Sequence, residues 1–455
     1  MSSWLRDRVI FPLHQRRRGG VFLPWYRKFL EMERWPEERL RDWQEGRLRE
    51  IFIHAAREVP YYRDCFRAAG VDLRDPLAWE RVPILLKETA RSKFNELQAE
   101  TARGPSATVR TSGSTGTPMT WRFSWETGDI HRAVEFRGRR WWEFRIGEPQ
   151  AWLWGRDEFS GPRQRLGATL VWNKHLLPVL DLSRETVKRF YERLLRWRPR
   201  FLYGYPSGFV QFARLCEEAG LPLQRVRAGG VITTAEVLSD SHRDYLRAAF
   251  GCPIINEYGC SETQTIAFEC PAGSMHIHAD ALRVEFIRDG KPVAPGEYGE
   301  VVVTDFFNRA MPILRYRIGD LGRARPGPCP CGRTLPRMEL SVGRELEMLR
   351  LPDGRLLHPE IFTPPHEDPL FHWMERFQVV QEGPRRLSVQ VVTAPDHFEE
   401  VRRNFIRLVR RHIGDSFSVE VQRVREIPRD PSGKLRYFIC RPAAVGSSGS
   451  GDAHG

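Results

Sequence analysis

The chain has 455 residues, too many for one ordinary hydrophobic core, so two or more domains are expected. Hydrophobic residues make up 41% of it, tryptophan alone accounting for 14, and this composition excludes a disordered chain. A formal net charge of +13 favours anionic partners such as nucleotides, nucleic acid or acidic headgroups.

The first residues, "MSSWLRDRVIFPLHQRRR", lack an apolar run of signal-peptide length, and no stretch of the chain is long and apolar enough for a transmembrane helix. A cytoplasmic protein is expected. The aromatic and basic segment "VFLPWYRKFLEMERW" (21–35) leaves room for a peripheral membrane contact. The tightest basic run is "HQRRRGG" (14–20). No helix-turn-helix or RNA-binding signature accompanies it, so no specific nucleic-acid partner is expected.

Residues 37–58 carry Leu40, Trp43, Leu48, Ile51 and Ala55 at helical spacing, and "VPYYRD" breaks the pattern. A second helix is predicted over 183–197, with Ser183 as its N-cap. Between 200 and 305, short apolar runs bounded by glycine, such as "AGGVITT" and "GEVVVTDF", read as buried strands alternating with helices. "VEFIRDGKPV" carries an Asp-Gly turn and predicts a hairpin. After Gly343 comes a smaller unit. Its strands are "RLSVQVV" and "SVEVQRV", and its helix places Phe398, Val401, Phe405 and Leu408 on one face. The fold class is therefore α/β with mixed sheets flanked by helices, followed by a small α+β domain and a glycine- and serine-rich tail.

"TVRTSGSTGTPMT" (108–120) crowds glycines and hydroxyls together. Such a turn aims consecutive amide N–H groups and hydroxyls at an anion, which makes it a candidate phosphate cradle. It is not a P-loop, because Gly113 and Gly116 are too close and no Gly-Lys follows. "NEYGCSET" (256–263) sets Tyr258, able to stack on a purine, beside Gly259, Ser261 and Glu262, whose carboxylate suits Mg²⁺. "YRIGDLG" (316–322) supplies Asp320 for the paired hydroxyls of a ribose. "PRDPSGKLRY" (428–437) offers Lys434 after a Ser-Gly turn.

Eight cysteines in a long chain of this type are not a disulfide framework. Cys329 and Cys331 form C-x-C in a Pro/Gly turn. With Cys270 and His276 they make a Cys₃His set suited to a closed structural Zn²⁺ site, His278 being the competing ligand. Cys65, Cys216, Cys252 and Cys440 read as core residues.

The four stretches at 108–120, 256–263, 316–322 and 428–437, in this order, resemble the adenylate-forming superfamily of acyl-CoA synthetases and adenylation domains. "AAREVPYYRDCFRAAGVD" and "CPCGRTLPRM" are similar to the phenylacetate–CoA ligase branch, including its capsule-polysaccharide relatives. The resemblance implies a large ATP- and acid-binding domain over 1–342, a small mobile domain over 343–442 and a flexible tail over 443–455. It implies that Thr111, Ser112, Gly113, Ser114, Thr115 and Gly116 close over the ATP phosphates and that Ala228 and Gly229 run beside the adenine. Tyr258 would pack on the adenine with Gly259 beside it in the ATP site, Ser261 would touch the α-phosphate, Glu262 would carry Mg²⁺, and Asp320 and Arg344 would lie at the ribose. Lys434 would bridge the attacking carboxylate and the α-phosphate, and the acyl group would pass from the adenylate to CoA.

Two departures stand out. "GRELEML" places Leu346 where the family hinge is commonly acidic, and the phosphate loop has Thr117 and Met119 where many members have lysine. Transfer to an amine or sugar hydroxyl in polysaccharide assembly, and a non-catalytic basic scaffold of the same fold, are the competing readings. The acid pocket is expected from residues 141–159 and 202–209, with Arg156 available to a second carboxylate.

Overall fold

The computed structural model describes residues 3–71, 79, 81–102, 106–110, 120–155, 162–344, 349–352, 356–357, 368–415, 417–428 and 436–440. The expectations for Thr111–Gly116, Thr117, Met119, Arg156, Leu346 and Lys434 lie outside them.

A twelve-stranded sheet forms the spine. One half is parallel: Lys174–Pro178, Gln150–Trp154, Phe201–Gly204, Val231–Thr233 and Ile254–Cys260 lie side by side in that order. Their sequences are near-continuous apolar runs because helices cover both faces. At Ile254–Cys260 the pairing changes. Gln264–Glu269 returns antiparallel to it, and the sheet continues through Met275–Ile277, Arg337–Arg344, Tyr316–Arg325, Gly299–Asp305 and Leu282–Arg288 to the edge strand Lys291–Pro292. The predicted Asp-Gly hairpin closes this edge, with Arg288 opposite Lys291 and positive φ at Asp289 (51°) and Gly290 (77°), as a type I′ turn requires.

The helix Glu37–Glu58 matches its periodicity and buries Leu40, Leu48, Ile51, Phe52 and Ala55. "VPYYRD" does not end helical structure. Pro60 opens a second helix, Pro60–Ala68, since proline is well suited to the first helical position. The helix expected over 183–197 begins later, at Val187, because Ser183 spends its hydroxyl on Glu185. The segment 21–35 is not a free surface either. Its helix Phe22–Met32 buries Phe22, Phe29 and Met32 in the main core, so one face of it is packed against the protein.

The C-terminal unit is a four-stranded sheet in the order Ser418–Arg423, Arg386–Val392, Arg376–Gly383, Phe438–Cys440. The helix Phe398–Ile413 covers it with Val401, Phe405 and Val409, each essentially fully buried. Val409 faces the core where Leu408 was expected; Leu408 is half-buried. Fully burying each such side chain is worth about 1.5–3 kcal/mol, enough for this unit to hold its own core with Leu387, Val389 and Val391. It rests on the large unit through Arg214, whose Nη1 donates to the carbonyls of Met374 (2.5 Å) and Glu375 (3.0 Å).

Candidate active site at the ends of the parallel strands

In an open α/β sheet, ligands bind in the crevice beyond the carboxyl ends of the parallel strands, and here those ends gather the predicted chemistry. Tyr258, Gly259, Ser261 and Glu262 occupy the end of Ile254–Cys260 and the turn into Gln264–Glu269. The turn is tight. Gln264 has φ 59°, its side-chain amide donates to the Ser261 carbonyl (3.0 Å), and a Cβ on Gly259 would lie 2.3 Å from the Gln264 carbonyl oxygen. Gly259 is thus required by backbone contact, whatever it does for a ligand.

The Tyr258 hydroxyl donates to Asp320 Oδ2 at 2.8 Å. Asp320 stands opposite Arg344 in the pairing of Tyr316–Arg325 with Arg337–Arg344. The three positions assigned to base and ribose therefore converge, although they lie far apart in sequence. Glu262 is buried, and Tyr316 Oη donates to its Oε1 at 2.9 Å. That bond fixes the carboxylate rotamer at the mouth of the turn. Tyr316 opens the stretch that supplies Asp320, but its bond to Glu262 comes from the sheet, which brings the two stretches together, and not from local sequence.

Ala228 and Gly229 are not brought to this end. Val231 pairs with Ile254 and Thr233 with Asn256, so Gly229 is level with residues before Ile254, ~20 Å from Tyr258 at about 3.3 Å per residue. Gly229 is small for another reason. Its N–H donates to the Arg200 carbonyl (2.7 Å), and a Cβ would lie 2.7 Å from Arg200 Nη1. The residues that follow that strand toward the crevice are Thr234, Ala235 and Glu236. Ala235 has φ 66°, and Glu236 accepts from the Ser207 backbone N–H and hydroxyl (both 3.0 Å) at the start of the helix Pro206–Glu218. A carboxylate at a helix N-terminus is favoured by the exposed N–H groups, and here it locks two strand ends together. The strained alanine was the signal in hindsight, but strain is invisible in sequence.

The aromatic residues expected to line an acid pocket divide. Trp141 and Phe144 are core. Trp152 and Trp154 are half-buried near the ends of the strands and stack against Tyr203 (4.2 Å) and Tyr205 (4.3 Å) respectively, with Lys174 Nζ 3.2 Å from the Trp152 ring centre. Beneath them lies a buried polar cluster that sequence reasoning missed. Tyr203 Oη donates to Glu257 Oε1 (2.8 Å), and Arg139 pairs with Glu135 nearby. Burial first, then the Glu135 charge, raises the Glu257 carboxyl to about 7, Arg139 opposing. Its members come from a helix and two strands, so no linear motif exists to find.

The second constellation is the cysteine set. Ligand atoms of Cys270, His276, Cys329 and Cys331 all lie within 4.8 Å of one another. Cys270 Sγ is 3.7 Å from Cys329 Sγ, and Cys331 Sγ is 3.2 Å from His276 Nε2. Nδ1 of His276 donates to the Leu335 carbonyl (2.8 Å), which leaves Nε2 as the lone-pair nitrogen facing the thiols. Burial lowers His276 to about 4, so the imidazole is neutral as a metal ligand must be. His278 does not compete. Its Nδ1 meets Arg137 Nη2 at 2.6 Å, within the buried Arg137–Asp280 pair.

Comparison with known proteins finds relatives of the same fold. The CapK C-terminal domain family matches residues 365–441. The phenylacetate-coenzyme A ligase of Thermus thermophilus is 26% identical over 441 residues, spanning 90% of this chain and 98% of that ligase. Protein CapK of Staphylococcus aureus is 24% identical over 277 residues, 59% of this chain and 58% of CapK. Among solved structures, 2-hydroxyisobutyryl-CoA ligase in its postadenylation state superposes with a TM-score of 0.73 at 19% identity, covering 90% of this chain and 91% of the ligase.

Proposed function

We propose that this chain, a member of the phenylacetate–CoA ligase-like branch of the adenylate-forming ligases, activates a carboxylic acid with ATP and passes the acyl group to the thiol of CoA. The observation that carries the reading is the convergence of Tyr258, Asp320 and Glu262 at the strand ends, each held by a specific hydrogen bond. A substrate carboxylate oxygen attacks the α-phosphorus of ATP, an O–P bond forms and pyrophosphate leaves. The CoA sulfur then attacks the acyl carbon and AMP leaves.

The chain's residues divide this work. Tyr258 flanks the base, with Gly259 keeping the turn close to it. Asp320 and Arg344 sit at the ribose, Asp320 with lone pairs to accept from two hydroxyls. Ser261 lies at the α-phosphate. Thr111, Ser112, Gly113, Ser114, Thr115 and Gly116 supply donors to the outer phosphates, working with hydroxyls and backbone alone. Lys434 neutralises the charge shared between the attacking carboxylate and the α-phosphate. Glu262 is a hard oxygen ligand at the right end of the sheet for Mg²⁺, which would neutralise the triphosphate. Trp152, Trp154 and Tyr203 make an aromatic wall that suits an aryl or apolar acid.

Zn²⁺ fits the cysteine set. Tetrahedral bonds of about 2.3 Å to sulfur put two ligating thiolates roughly 3.8 Å apart, and the Cys270–Cys329 separation is 3.7 Å. Four protein ligands leave no open position, so the role is structural. Cys65, Cys216, Cys252, Cys260, Cys270, Cys329 and Cys331 form no disulfide, which suits a reducing compartment such as the cytoplasm, where ATP and CoA are at hand.

The test is ATP–pyrophosphate exchange across a panel of carboxylic acids, with Lys434→Ala as control. Exchange dependent on one acid and lowered roughly 100- to 1000-fold in the variant is expected. Product analysis with and without CoA then identifies the acceptor. A protein that binds no ATP–Mg²⁺ by calorimetry sinks the reading.

A further inference from the structure

We infer that the N-terminal helix is an interfacial anchor that lies flat on an anionic lipid bilayer. Residues 3–17 are helical throughout, with a π-helical turn at Arg6–Ile10 between the α-helical Ser3–Leu5 and Phe11–Arg17. One face holds the helix to the protein. Phe11 is fully buried between Phe22 (ring centres 4.9 Å apart) and Trp172 (4.7 Å), Gln15 is buried, and Arg6 Nε donates to the Leu170 carbonyl at 3.2 Å.

The opposite face is apolar and exposed, the reverse of what an ordinary surface helix shows. Large exposed apolar side chains among the described residues number seven: Trp4, Leu5, Val9, Leu13, Trp125, Leu166 and Leu170. Four lie on this helix, with Trp4 67% exposed. Leu166 and Leu170 lie on the helix Pro162–Trp172 that packs beside it, and Trp125 sits under Arg18 at its far end (5.6 Å). Exposed apolar groups are thus collected at one place on the molecule, where scattered single residues would need no explanation.

Charge identifies the occupant. Arg8, Arg16 and Arg17 are exposed among these apolar residues, and Asp7, the one acid of residues 3–18, is half-buried to the side. With three exposed arginines and no exposed acid among residues 3–18, the face is uniformly cationic and matches an anionic surface. Tryptophan and leucine interleaved with arginine are the composition of a helix at the headgroup boundary. There the rings and aliphatic chains enter the acyl edge and the guanidinium groups reach the phosphates. A chain of net charge +13 is drawn to the same surface.

The test uses the full chain and vesicle flotation, with phosphatidylcholine alone and with an equimolar mixture of phosphatidylcholine and phosphatidylglycerol. Binding to the mixed vesicles is expected. Each arginine near an anionic surface adds roughly fivefold in affinity, so affinity for phosphatidylcholine alone should be lower by on the order of 10- to 100-fold. Trp4→Ser with Leu13→Ser should weaken binding to the mixed vesicles about tenfold or more, while circular dichroism, thermal midpoint and pyrophosphate exchange stay unchanged, because both residues are exposed. Wild-type affinity in that double variant, equal affinity for the two vesicles, or no binding to either would overturn the inference. So would a lipid-free dimer, seen by light scattering, that the double variant dissolves, since the face would then belong to a second copy of the chain.

Discussion

Glu257→Gln should make the protein markedly more stable at about pH 8 and only slightly more stable at about pH 5. Glu257 is buried in the parallel half of the sheet, and its carboxyl is raised from 4.5 to about 7, by burial first and by the Glu135 charge second. In the unfolded chain the same group ionises in the ordinary range. Between those two values the folded protein binds the extra proton, so stability falls as pH rises and is lowest above about 7. A tenfold difference in proton affinity between the folded and unfolded chain is worth about 1.4 kcal/mol, so the ionised carboxylate costs the fold on the order of 3 kcal/mol at about pH 8. Glutamine mimics the protonated form and can still accept from Tyr203 Oη (2.8 Å to the present Oε1). The gain should therefore approach that figure at about pH 8 and shrink to about 1 kcal/mol or less at about pH 5. Urea unfolding followed by tryptophan fluorescence at both pH values measures it. A variant no more stable at the higher pH, or a difference that does not change with pH, would refute the assignment of a costly buried carboxylate.

Tyr316→Phe removes the donor to Glu262 Oε1; a loss of about 1–2 kcal/mol in binding of ATP–Mg²⁺ is expected by calorimetry, with the fold intact by circular dichroism. Asp320→Asn should raise the KM for ATP while discrimination between ATP and 2′-deoxy-ATP falls, because the proposed role of the lost acceptor is to bind the ribose hydroxyls; unchanged discrimination would count against that role. Cys329→Ser should abolish one equivalent of zinc by atomic absorption and lower the thermal midpoint, and chelator treatment of the unaltered chain should lower it equally. Gly259→Ala should yield little soluble protein, because its Cβ meets backbone at 2.3 Å and no side chain can move aside.

Features set by local chemistry were readable from the residues. The Asp-Gly hairpin, the helix 37–58 and the strands of the small unit follow from period and turn type, and the Cys₃His set followed from which residue types can share a metal. The choice between His276 and His278 was not readable, because Arg137, on a distant helix, decides it. Ala228 and Gly229 misled because a glycine pair beside a strand resembles a ligand loop. Here it answers the close approach of Arg200, a contact between strands that no single stretch reveals. Tyr203 and Glu257 illustrate the same limit. They are 54 residues apart, in different strands, and meet only because those strands share a sheet.

The change from parallel to antiparallel pairing at Ile254–Cys260 bears on how the molecule can be taken apart. That strand pairs with Val231–Thr233 on one side and Gln264–Glu269 on the other, and its last residues carry Tyr258 and Gly259. A cut in the turn between Ile254–Cys260 and Gln264–Glu269 would leave two pieces, one with Tyr258 and the other with Asp320, each with an open row of unpaired amides and carbonyls. Neither piece would hold the crevice. The proposed nucleotide site therefore belongs to the joint between two sheet halves, and fragments of this chain should regain it only by re-forming that joint.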